Sequence, residues 1–201
     1  TSTDGLTWSS ITMPATKNWT GIAYNGSVFC AVNDNNVVTP TQSAAVSAIG
    51  SSWTFGDMGS VMARPTGIVA NGSLFCAVDT VNRQTATSPS GLVWTPKTYI
   101  STDPFPSHGL GSGGGAFVGF WRNTLAGTFK AITSTDTNTW TAGPELTPAI
   151  PVGNYVIAYN GTRFVALGKD IANNGISATS TDGLNWSTVT VYPFGAWGAV
   201  C

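Results

Sequence analysis

Ionisable chemistry is scarce in this sequence. It contains one glutamate, Glu145, one histidine, His108, four arginines, Arg64, Arg83, Arg122 and Arg163, and three cysteines, Cys30, Cys76 and Cys201. Hydrolysis of a glycosidic bond ordinarily needs two carboxylates flanking it. Glu145 lies in a proline-rich connector beside Pro144 and Pro148, so a partner carboxylate must come from aspartates such as Asp4, Asp136 and Asp182. Those three stand in Ser-Thr-Asp segments, where an aspartate closes on its own turn. A lone histidine supports neither a metal cluster nor a Ser/His/Asp relay, and it reads as a loop or rim residue. The cysteines fit no metal spacing. Cys30 and Cys76 occupy one repeated position, and such positions in adjacent units lie too far apart for a disulfide. They read as small buried apolar residues. No catalytic constellation, metal site or cofactor is expected.

Composition narrows the partners. Only 8% of the 201 residues are charged and the net charge is −1, against about 25% charged residues in ordinary globular proteins. Solubility then rests on Thr, Ser, Asn and Gly. The basic residues are scattered singly, whereas nucleic-acid binding needs a clustered basic footprint. No apolar run approaches the roughly 20 residues of a spanning helix. A polar, charge-poor, aromatic-rich composition of this kind points to a virion surface or extracellular setting.

The elements that carry these side chains are repeated. Trp8, Trp53, Trp94, Trp140 and Trp186 recur at steps of 45, 41, 46 and 46 residues. Each closes a similar segment: Ser2 to Trp8, Ser134 to Trp140 and Ser180 to Trp186 share Ser-Thr-Asp, while Ser47 to Trp53 and Ser88 to Trp94 have lost the aspartate. A second phrase keeps the same period, with Phe29, Phe75, Phe117 and Phe164 stepping by 46, 42 and 47. Periods of about 40–47 residues signal four-stranded units that bury apolar faces by stacking on one another.

Within one unit, Gly21-Ile22-Ala23-Tyr24 and Val28-Phe29-Cys30-Ala31-Val32 are short β-prone runs joined through Asn25-Gly26. The Asn-Gly pair predicts a tight hairpin with a type I′ turn. Small residues on the first strand suit an innermost position. A polar loop, a third strand such as Ile176 to Ser180, and a fourth strand opening on the tryptophan complete the unit.

The tryptophan segments resemble the Asp-box (bacterial neuraminidase, or BNR) repeat, written Ser/Thr-x-Asp-x-Gly-x-Thr-Trp. Asp4, Asp136 and Asp182 match its aspartate, and Trp8, Trp140 and Trp186 its tryptophan. The wording is also similar to repeats of bacteriophage tail-fibre and surface proteins labelled sialidase-like. The resemblance covers nearly the whole chain and implies an all-β fold, a β-propeller of four-stranded antiparallel blades. It implies little chemistry, because this repeat serves enzymes, lectins and scaffolds alike. Sialidases clamp a carboxylate with three arginines and use a tyrosine nucleophile with an assisting glutamate and an aspartate acid/base. The four arginines here occupy unrelated repeat positions.

Four full units span roughly residues 19–55, 65–95, 108–141 and 154–187, read as a single domain over 1–201. The chain opens on an isolated tryptophan segment (1–12) and ends on an isolated first strand (198–201). The expectation is a five-bladed propeller whose incomplete closing blade combines residues 1–12 and 192–201, or a piece of a longer propeller. Five units of about 45 residues would need about 225.

Recognition is sought where the repeats disagree. Just before the aligned glycine of each inner strand stand Thr20, Thr66, His108, Tyr155 and Trp197, preceded by Trp19, Pro65, Ser107, Asn154 and Ala196. Aromatic faces stack on sugar rings and polar groups bond hydroxyls, although ordinary blade packing uses the same residues. A second candidate lies off the repeat, in Tyr99 to His108 and in Phe120-Trp121-Arg122, since Trp and Arg are enriched at binding hot spots. The candidates are therefore Trp19, His108, Tyr155, Trp197, Trp121 and Arg122. The expected function is non-enzymatic recognition of a glycan or cell-surface polymer by a virion-associated module, which a parent fibre would oligomerise. The alternatives are a structural propeller docking on other virion subunits and, more weakly, a sialidase-like hydrolase.

Overall fold

The computed structural model describes residues 1–34, 42–58, 62, 64–99, 102–123, 128–146, 155–169, 174–187 and 190–192. Alternating apolar runs and polar turns become four antiparallel four-stranded sheets, each built from strands consecutive in the chain. The first holds β1 (Trp19–Tyr24), β2 (Phe29–Asn33), β3 (Ala44–Ser47) and β4 (Thr54–Gly56); the second holds β5 (Gly67–Asn71), β6 (Leu74–Asp79), β7 (Gln84–Ser88) and β8 (Thr95–Thr98). The third holds β9 (Leu110–Gly113), β10 (Ala116–Asn123), β11 (Thr128–Ser134) and β12 (Thr141–Glu145). The fourth holds β13 (Val156–Tyr159), β14 (Phe164–Lys169), β15 (Gly175–Ser180) and β16 (Thr190–Tyr192). As the repeat predicts, β4, β8 and β12 each begin one residue after a tryptophan.

The chain divides into two compact units, Thr1–Lys97 and Thr98–Cys201. In the first, Cys30, Val32 and Ala44 of the first sheet pack with Ile68, Phe75, Ala77 and Trp94 of the second. Cys30 and Cys76 are free and buried, and burial pushes the Cys30 thiol up to about 12. In the second unit, Val118, Phe120 and Ala131 of the third sheet pack with Tyr155, Ile157, Phe164 and Ile176 of the fourth. Glycines set the approach. A methyl group at Gly111 would lie 2.6 Å from Ile157, and one at Gly113 2.3 Å from the Tyr159 ring.

Two sequence expectations change. Among the described residues there is no fifth sheet. Residues 1–12 keep their turn, with Ser9 N–H donating to Thr1 O at 2.8 Å, but form no strand. A strand needs a laddered neighbour, and this segment has none; residues 193–201 lie outside the described residues. The hairpins are also not type I′. Asn71 pairs with Leu74, so Gly72-Ser73 form that turn, and positive φ falls on Gly26, Gly72 and Gly161 (92°, 55° and 96°). At two of these turns asparagine works through its side chain. Asn25 Oδ1 accepts from Ser27 N and Val28 N at 3.1 and 3.0 Å, and Asn160 Oδ1 from Thr162 N and Arg163 N at 3.1 and 2.9 Å. This is the Asx-turn route to the same reversal.

The tryptophan segments form one recurrent turn. In the three with aspartate, one carboxylate oxygen accepts two backbone N–H groups and the serine hydroxyl: for Asp182, Leu184 N at 2.9 Å, Asn185 N at 2.8 Å and Ser180 Oγ at 3.0 Å. Asp4 and Asp136 repeat this. The serine is the more persistent member. Ser47 and Ser88 still accept from Gly50 N and Gly91 N at 2.8 Å where the aspartate is absent. The indole N–H of Trp8, Trp53, Trp94 and Trp186 folds back to the carbonyl three residues earlier, at 3.1, 3.0, 2.9 and 2.9 Å.

Candidate functional site

The second unit brings two of the candidate residues together. The backbone N–H of His108 donates to Phe120 O at 3.1 Å, hooking the approach to β9 across β10. Gly109 follows with φ of 101° and lies directly against Tyr155. This turn sets the His108 ring edge-on to Phe129, with centroids 5.3 Å apart. Phe129 is the register partner of Arg122, so both project from one face of the sheet. The Arg122 guanidinium stands 5.8 Å from the same ring centre, within cation–π range.

Ser107 completes the cluster. Its hydroxyl accepts from Arg122 N–H at 3.4 Å and hydrogen-bonds His108 Nδ1 at 2.8 Å. If that hydroxyl donates to Nδ1, the neutral imidazole carries its proton on Nε2 and offers a second donor beside the guanidinium. Burial, and then the Arg122 charge, hold His108 below the usual histidine range, so the ring is neutral near pH 7. Phe129 itself is buried beneath them, and a neutral donor beside a cation suits a ligand rich in hydroxyl and ether oxygens.

The other candidates fare differently. Tyr155 is buried, with its ring packed on Phe120 at 5.1 Å and over Gly168; it is core, because strand alternation turns it toward the sheet interface. Trp121 is also buried, and its Nε1 finds no acceptor among the described residues. Trp197 and Asn154 lie outside the described residues. In the off-repeat segment, Tyr99 and Phe105 are buried against each other at 5.3 Å and present no contact surface. The hydroxyls of Thr20 and Thr66 are engaged by the carbonyls of Pro65 and Val78 at 2.7 and 3.1 Å.

In the first unit, Trp19 lines an apolar groove of about 350 Å³ together with Met13, Ile22, Ala31 and Trp53. The nearby arginine is committed, since Arg64 Nε and Nη2 donate to the two oxygens of Asp34 at 3.3 and 3.2 Å. One buried carboxylate went unnoticed in the sequence. Asp79 accepts from Arg64 N, Val81 N, Asn82 N and Asn82 Nδ2 at 2.8–3.2 Å, which makes it a turn-former; the following Thr80 to Arg83 turn was its only signal. Among the described residues, no three His, Cys, Asp or Glu side chains are placed to hold a metal ion.

No family model matches the sequence, and no curated protein matches it. Solved structures do. A virginiamycin B lyase from Staphylococcus aureus superposes with a TM-score of 0.58 at 13% identity, over 85% of this chain and 54% of that one. The lectin of the fungus Aleuria aurantia, a six-bladed β-propeller with a fucose recognition mode of its own, superposes with a TM-score of 0.54 at 15% identity, over 89% of this chain and 62% of that one. The SapL1 lectin, solved with α-methyl fucoside, gives 0.51 at 18% identity, over 86% and 61%. The chain thus spans between 54% and 62% of the length of these structures. At such identities the likeness is one of fold: this is an all-β chain of the β-propeller type, built of four-stranded antiparallel blades.

Proposed function

We propose that the chain is a carbohydrate-binding module that acts without turnover, and that Ser107, His108 and Arg122 contact the sugar beside the buried Phe129 ring. The observation that carries the reading is this cluster: an exposed guanidinium and a neutral, half-buried imidazole stand together against the buried Phe129 ring. Fixed hydrogen-bond donors such as this imidazole and guanidinium meet the hydroxyls of a sugar. Two structurally similar proteins are lectins of fucose, which makes a fucoside a first ligand to test. The aspartates of the tryptophan segments are held by their own turns, which supports binding over hydrolysis. We read those segments as Asp-box repeats on the strength of the Ser–Asp–Trp turn. A virion or other extracellular surface is the setting we propose, from the low charge and hydroxyl-rich composition.

The test is a glycan array probed with an oligomerised sample, followed by titration of α-methyl fucoside and of any array hit. Binding that weakens at least tenfold in Arg122→Ala is expected. Absence of binding to every glycan would overturn the reading. Consumption of virginiamycin B on incubation would replace it with a catalytic one.

A further inference from the structure

Ile22, Ile68 and Ile157 hold one place in their sheets. Each lies on the inner strand opposite the alanine two residues beyond the core phenylalanine, paired with Ala31, Ala77 and Ala166 respectively. In two of the sheets this isoleucine is covered by the inner strand of the preceding sheet. Ile68 packs on Gly21 and Ile157 on Gly111, and they are 8% and 9% exposed. Ile22 is 59% exposed.

Tyr24 repeats the pattern. Tyr24 and Tyr159 are register partners of Phe29 and Phe164, and their hydroxyls donate to Gly26 O and Gly161 O at 2.9 and 2.8 Å. Tyr159 rests on Gly113 of the preceding sheet, whereas Tyr24 is half exposed. The turn glycines are buried in all three: Gly183 abuts Val118 and Thr133, and Gly91 abuts Val46 and Cys30, all on the preceding sheet, whereas Gly50 is covered by Thr1. Two positions, Ile22 and Tyr24, therefore mark one face of the first sheet as a built sheet–sheet interface that no sheet covers among the described residues. The groove of Met13, Trp19, Ile22 and Trp53 lies in that face.

We infer that this face receives the fourth sheet of a second copy of the chain, head to tail. The occupant follows from continuity with the interfaces already formed: Gly21 of β1 meets Ile68, and Ala23 of β1 packs against the same core. The register equivalents on β13 are Val156 and Ala158, paired with Leu167 and Val165 as Gly21 and Ala23 are with Val32 and Cys30. Alternation turns them away from Ile157, and both remain half-buried. Joining different faces of identical chains is a heterologous contact, which makes a closed ring or an open chain.

The experiment is sedimentation velocity on the full chain over a wide concentration range. Wild type is expected to associate, and Ile22→Glu, at an exposed position, to weaken association at least tenfold while Val93→Glu leaves it unchanged. Ala158→Arg alone is expected to behave like Ile22→Glu. An equimolar mixture of these two variants retains one intact pair of faces and should stop at dimers. Wild type that stays monomeric at every concentration overturns the proposal, as does association insensitive to Ile22→Glu. Slow maleimide labelling of monomeric Ile22→Cys would likewise overturn it, by assigning the face to a cover within one chain.

Discussion

The Tyr99 hydroxyl stands between Trp140 and the turn that Trp140 closes. Trp140 Nε1 donates to Tyr99 Oη at 3.0 Å, and Tyr99 Oη donates onward to Thr137 O. In the four other tryptophan segments the indole reaches that carbonyl directly. Here the residue carrying the carbonyl is Thr137, which adopts a φ of 61° where the others have glycine. An off-repeat tyrosine has thus been built into a repeat turn, and its ring is buried with Phe105.

Removing that hydroxyl leaves a buried indole N–H and a carbonyl without their partner. Each unsatisfied buried group costs about 1–3 kcal/mol, so Tyr99→Phe is expected to destabilise the chain by roughly 2–4 kcal/mol. Urea denaturation followed by tryptophan fluorescence reads the change. A loss under about 0.5 kcal/mol would mean that Trp140 recovers the direct bond seen in the other segments.

Gly183 and Gly5 separate two reasons for glycine in this turn. Both have positive φ, 76° and 73°. A methyl at Gly183 would lie 2.7 Å from Val118 Cγ2, whereas one at Gly5 meets nothing within 4 Å. Gly5→Ala should therefore cost only the left-handed penalty, about 1–2 kcal/mol. Gly183→Ala adds overpacking worth about 1–3 kcal/mol. Equal losses for the two variants in denaturant unfolding would remove the packing argument.

The repeat period made the four sheets legible because tryptophan and phenylalanine hold fixed positions in each unit. Strand order, the position of the hairpins and the starts of β4, β8 and β12 followed from it. What the period does not encode is the neighbour of each face. Tyr155 and Trp121 share strand-start or off-repeat positions with His108 and Arg122, yet alternation buries the first pair and leaves the Arg122 guanidinium exposed. Tyr99 was legible as an exception to the repeat but not as a hydrogen-bond bridge, because Thr137 lies 38 residues away from it. The closing sheet failed for a similar reason. A tryptophan segment alone supplies a turn, and a sheet requires neighbouring strands.

The turn aspartates should dominate acid sensitivity. Hydrogen bonds from the Asn185 side chain and backbone, then from Leu184, hold Asp182 well below the usual carboxylate range. The Thr7 and Leu6 N–H groups hold Asp4 at about 2, and those of Thr139 and Asn138 lower Asp136. A depressed folded-state value means that the stabilisation is complete above the unfolded value near 3.8 and is lost as pH falls through the folded values. Thermal melts should therefore weaken from about pH 4 to below pH 2. Asp182→Asn should lower the melting temperature at pH 7 and flatten this acid limb. An acid limb unchanged in Asp182→Asn would assign the sensitivity elsewhere.

His108 titrates in the opposite chemical sense but also favours higher pH. Its folded-state value lies below the ordinary 6.5, first through burial and then through the Arg122 charge. The folded chain then binds its proton less readily than the unfolded chain, so stability falls as pH drops through about 6.5 and levels off below the folded value. Protonation also turns Nδ1 into a donor, so Ser107 can no longer donate to it. His108→Gln should remove the step in stability that begins as pH falls through about 6.5 while leaving the acid limb of the aspartates in place. For a binding site built on this histidine, affinity for an array-identified glycan should hold through that step in wild type and decline only as pH falls through the folded value, where the stability curve levels off. Affinity that stays constant below the pH at which the stability step levels off would detach His108 from the ligand and leave Arg122 as the contact.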